Sequence, residues 1–137
     1  MAITQTDIEN VYGANNVAQW STFLGGTQAT SNATRVAVAI AFASASVESL
    51  LRNGPYAVPI VNGDGSGDEV PEILNAKATL AGYWLWQTRG LNQAKETVAE
   101  MNAQRAYVLK QLREIRTGML PINASFAANR TSTPFVV

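Results

Sequence analysis

An all-α fold is predicted by three features of the sequence: apolar residues returning at three- and four-residue steps, glycine or proline where those stretches stop, and many alanines in the first long one. The expected architecture is a small antiparallel helical bundle with two short N-terminal helices, three longer helices and an extended C-terminal tail. Residues 1–117 form the bundle in this reading and residues 118–137 the tail.

The first short helix has Thr6 as cap, Glu9 as the other half of a capping box and Gly13 as its stop. It presents Ile8, Val11 and Tyr12. Asn15 or Asn16 caps the second, which carries Val17, Trp20, Phe23 and Leu24 and ends at Gly25 and Gly26. The first long helix starts from Asn32 or Thr34 and runs to Asn53, before Gly54 and Pro55, with Val36, Ala37, Ile40, Ala43, Val47, Leu50 and Leu51 inward.

From Pro55 to Pro71 the chain is turn-rich, with Gly63, Gly65 and Gly67 beside Asp64, Asp68 and Glu69, and Tyr56, Val58 and Ile60 anchoring its start. The next helix spans Pro71 to Arg89, where proline suits the first turn and Glu72 the positive end of the dipole. Its predicted inner face is Ile73, Leu74, Leu80, Ala81, Trp84 and Leu85. The last helix runs from Asn92 to Thr117, before Gly118, on a stripe of Val98, Met101, Arg105, Val108, Leu112 and Ile115. Arg105 is the one polar interruption: a specificity device across an interface, or a side chain that snorkels from the domain edge.

Composition restricts the chemistry. The 137 residues include no cysteine and no histidine, so disulfides, thiolate or imidazole catalysis and zinc or haem ligation by those groups are excluded. Any metal site has to be oxygen-only. The best imitation of one is Asn62, Asp64, Ser66, Gly67, Asp68, which copies the start of a calcium loop, but its twelfth place is Ile73 where a bidentate glutamate is needed. The expectation is therefore an acidic turn, with no metal and no cofactor. The ten carboxylates fall at caps, in the loop or on helix surfaces, so no catalytic constellation is expected.

Charged residues make up 15% of the chain, below the roughly 25% usual for soluble domains, so the surface is expected to be unusually polar-neutral or partly covered by partners. Net charge is zero, yet up to Gly90 seven acids face four bases, and beyond it three acids face six bases. Lys110, Arg113 and Arg116 give the last helix a basic end that suits a protein partner, channel DNA or only the helix dipole. Trp84 and Trp86 cannot share one core face, so Trp86 is assigned outward to a partner unless the N-terminal pair covers it. In the tail, Met119, Leu120, Ile122, Phe126 and Phe135 are the anchors of a segment that either docks on another chain or frays. Met1 to Asn10 holds two acids and no base, unlike a signal peptide, and no apolar run approaches the ~18 residues of a membrane span, so an intracellular protein without a membrane partner is expected.

The order of these parts resembles the head-tail connector adaptor (head completion) family of tailed phages, especially its small Mu-like group. Ile3 to Tyr12, Tyr56 to Pro59, and Pro71, Ile73, Leu74 and Ala78 to Tyr83 carry the resemblance, which covers Ile3 to Ile122. It implies an oligomeric ring of twelve copies in the virion neck, assembled in the host cytoplasm. Such a ring joins the portal to the stopper or tail-completion protein and continues the DNA channel, without catalysis. It further implies that Met119 to Ile122, Phe126 and Phe135 meet the portal, and that the loop with Asn62, Asp64 and Asp68 meets a neighbour or the next ring. The alternative is a DNA-binding or genome-packaging accessory protein working through the basic last helix.

Overall fold

A computed structural model describes residues 3–22, 31–52, 54–56, 60, 69–88 and 95–124. Five helices hold 78% of these residues, and no strand occurs among them, as expected for a small all-α bundle. In chain order they are α1 (Gln5–Tyr12), α2 (Ala14–Trp20), α3 (Ala33–Leu51), α4 (Pro71–Thr88) and α5 (Lys95–Thr117).

Capping in α1 lies two residues upstream of the sequence expectation. Thr4 is the cap, and the Asp7 carboxylate accepts from the Thr4 N–H at 2.8 Å and its hydroxyl at 3.1 Å. Glu9 instead accepts from Gln5 Nε2 at 3.0 Å, so the pattern Thr4–Asp7 prevails over Thr6–Glu9. Gly13, at φ 91°, divides α1 from α2 in a backbone region that L side chains rarely adopt. Neither Asn15 nor Asn16 caps α2: Gly13 holds that position and both asparagines lie inside the helix, where the Asn16 amide donates back to Tyr12 O at 2.7 Å.

Asn32 caps α3 as expected, its Oδ1 accepting from the N–H groups of Thr34 at 3.1 Å and Arg35 at 3.2 Å. The buried stripe is Val36, Ala39, Ala43, Val47 and Leu51. Ala37 faces outward, and Ile40 and Leu50 are half-buried, so the stripe is rotated from the expected one. With 19 residues and a mean hydropathy of 1.4, α3 is long and apolar enough to cross a membrane, contrary to the expectation from uninterrupted runs. Arg35 and Glu48 lie near its two ends, and the stretch between them carries no charge.

The hub is α4, which packs against each of the other four helices. Every residue from Ala76 to Gly82 is buried, which explains why α4 shows no simple amphipathic stripe. Gly82 is required by the packing: a Cβ there would overlap the ring of Tyr12. That ring meets Trp20 edge-on at 5.2 Å between centroids, and the Tyr12 hydroxyl donates to Thr79 O at 3.2 Å. Burial pushes the Tyr12 phenol from 10.0 up to about 12.

Gly118, at φ 83°, ends α5 where expected, with its N–H on Ile115 O at 3.1 Å and Leu120 N–H on Glu114 O at 3.2 Å. The chain then turns onto its own bundle. Leu120, Ile122 and Ala124 pack against the core, and Ile122 N–H donates at 2.9 Å to the hydroxyl of buried Tyr56. Gly54 completes this corner, because a Cβ on it would meet Arg116 O at 3.1 Å.

Candidate interaction surfaces

Helix propensity, capping and packing place the singled-out side chains in three settings. The first is a groove of about 310 Å³ where α3, α4 and α5 diverge, lined by Phe42, Leu80, Tyr83, Trp84, Arg105 and Leu109 among others. Aromatic faces and cations alternate along it. Arg105 lies 5.3 Å from the centroid of Tyr83, and Arg35 lies 5.0 Å from that of Trp84. Tyr83 is held by its hydroxyl, which donates to Asn102 Oδ1 at 2.8 Å, while Phe42 packs at 6.3 Å from Trp84 and remains 54% exposed.

Arg105 is thus exposed, as a residue at the rim of an aromatic groove. Trp86 corrects the sequence reading. It is buried within this chain and rests against Tyr83 at 5.4 Å, whereas Trp84 is the half-exposed member of the pair. Because α4 is enclosed on several sides, its inner face cannot be chosen by continuing one stripe.

The second setting is the end of α5. Lys110, Arg113 and Arg116 are all exposed, and Lys110 approaches Glu114 at 4.0 Å. An exposed pair of this kind contributes only about 0.3–0.5 kcal/mol, so these residues are left with most of their electrostatic capacity for a partner. Met119, just beyond, is 69% exposed, but Leu120 and Ile122 are half-buried against their own core. Part of their apolar surface is therefore used within the chain, so the first residues after Gly118 lie on the bundle. Phe126, Phe135, Asn62, Asp64 and Asp68 lie outside the described residues.

The third setting was not anticipated. Lys77 is buried in the middle of α4, paired with Glu69 and lying 3.6 Å from Glu48, so one ammonium ties α3, α4 and the segment entering α4 together. Glu69 Oε2 is buried with no hydrogen-bond partner among the described residues. A signal was present in the sequence: Lys77 stands four after Ile73 and three before Leu80, on the apolar stripe itself. Among the described residues no group of three carboxylates converges in a way that could hold a metal ion.

The fold and these surfaces define a small all-α bundle whose singled-out residues offer packing and charge for contact. A family model described as bacteriophage Mu, Gp36 matches residues 3–135. The chain belongs to that family, and is accordingly a phage protein related to the virion. No match is found among curated proteins.

Proposed function

We propose that this chain is a structural adaptor of the phage neck, acting without catalysis. Copies form a ring, twelve in the arrangement implied by the resemblance, that joins the portal to the stopper or tail-completion protein and continues the DNA channel in the virion. The observation that carries this reading is the outer face of α3: Ala37, Val38, Ala41, Phe42 and Ala45 are exposed and uncharged, on the most apolar helix of a phage-family chain. A face of that composition gains most when another protein surface covers it. Imaging of assembled particles tests the proposal: density for the bundle in a ring beneath the portal is the expected result, and absence of the protein from the neck would sink it.

A second reading is a DNA-binding or packaging accessory protein, favoured by the exposed cations Lys110, Arg113 and Arg116. It requires binding to duplex DNA whose logarithmic affinity falls with logarithmic salt by about 0.9 per phosphate neutralised. Binding of that strength in an isolated subunit, lost on replacing the three cations, would favour this reading over the adaptor.

A further inference from the structure

Two surfaces on opposite sides of α4 differ in charge and match in apolar character. Trp84 and Asn75 are nine positions apart, about two and a half helical turns, so they point in opposite directions. The Trp84 side is the groove with Arg105 at its rim, continued by the outer face of α3. The Asn75 side holds two adjoining hollows of about 270 and 210 Å³ that share Val11 and Asn75, with Asp7, Leu74 and Tyr107 in their walls. Glu72, exposed, lies one turn before Asn75 on the same side of α4. The five large apolar residues exposed among the described ones are Val38 (48%) and Phe42 (54%) on the first surface, Val11 (38%) and Tyr107 (61%) on the second, and Met119.

We propose that these two surfaces bind one another between copies, the Val11–Tyr107 side of one subunit seating on the Phe42–Trp84 side of the next. The inference rests on the ring reading above and names its contact. Arg105, which has no ion pair among the described residues, then meets a surface carrying Asp7 and Glu72. Pairing the Phe42 surface with itself would bring together two surfaces that each carry Arg35 and Arg105, a like-charge approach that disfavours the two-fold arrangement. A head-to-tail contact leaves one free surface of each kind on every dimer, so association continues until rotation closes the ring.

Two variants of the full chain test this, with native mass spectrometry and light scattering as readouts. Phe42→Glu blocks one surface and Tyr107→Glu the other; both sites are more than half exposed, so each variant should keep the helical circular dichroism and the cooperative melting of the wild type. Each variant alone is expected to self-associate at least tenfold more weakly than the wild type. Mixed together they should form a dimer that grows no further, because each retains the surface the other lacks. Three results would overturn the inference: a wild-type chain that stays monomeric up to its solubility limit, assembly indifferent to both substitutions, or loss with Phe42→Glu alone, which would indicate a two-fold contact through α3. Flotation of the wild type with phosphatidylcholine vesicles, abolished by Phe42→Glu, would overturn it in favour of a bilayer on that face. The adaptor reading survives any assembly that ignores these substitutions and falls only with absence from the neck.

Discussion

Gly82 shows how one atom decides a helix crossing. In an exposed helix, glycine to alanine would stabilise by about 1 kcal/mol through backbone entropy and propensity. Here the added methyl would enter the space of the Tyr12 ring, which Trp20 and the bond to Thr79 O hold in place. Overpacking of that kind costs about 1–3 kcal/mol, so Gly82→Ala should lower the urea midpoint rather than raise it. Tyr12 itself gives a pH-dependent signature. Its folded pKa of about 12 exceeds the ordinary 10.0, so its contribution is fully present below pH 10 and is lost as pH rises through 12. Tyr12→Phe should therefore show a shallower loss of stability between those values in pH-dependent denaturation. Neither effect was legible in advance, because Gly82 and Tyr12 lie 70 positions apart and no local pattern joins them. Lys77 was closer to legible: its place on an apolar stripe announced either burial or an error in the stripe.

At the scale of elements, legibility followed locality. The ends of α3 and α5 could be read because Asn32 and Gly118 act on backbone groups within a turn of themselves. Gly118→Ala forces a methyl-bearing residue to φ 83°, which costs about 1–2 kcal/mol. The variant should melt several degrees lower, with fraying of the last turn of α5 seen as faster amide exchange. The faces of α4 could not be read in this way. Burial from Ala76 to Gly82 comes from neighbours on several sides, so the choice between Trp84 and Trp86 was made by tertiary packing that periodicity does not encode. The rotation of the α3 stripe from Ala37 to Ala39 has a similar origin, since in an alanine-rich segment either residue continues an apolar row.

For the whole molecule, residues 120–124 pack with the helices that precede them. A cut after Thr117 removes Leu120 and Ile122 from the core and leaves the Tyr56 hydroxyl without Ile122 N–H. Half-burial of two such side chains is worth roughly 2 kcal/mol, so this truncation should lower the melting temperature by several degrees. A cut after Ala124 keeps Leu120, Ile122 and the bond to Tyr56, so it should melt above the cut after Thr117 by about that amount. The exposure of the candidate surfaces was partly legible: Arg105 and the cations of α5, singled out from sequence, are exposed, whereas the outer face of α3 and the Val11–Tyr107 side emerged only when helices far apart in the chain were packed together.

The bond between Tyr56 and Ile122 spans 66 positions and fastens the segment after α5 to the corner beyond α3. Tension on anything attached beyond Ala124 would consequently enter the bundle through two helices at once, without peeling α5 from its end. On the other side the same segment is held to α5 by Gly118 N–H on Ile115 O and Leu120 N–H on Glu114 O, so a pull at Ala124 is shared between the end of α5 and the corner at Tyr56.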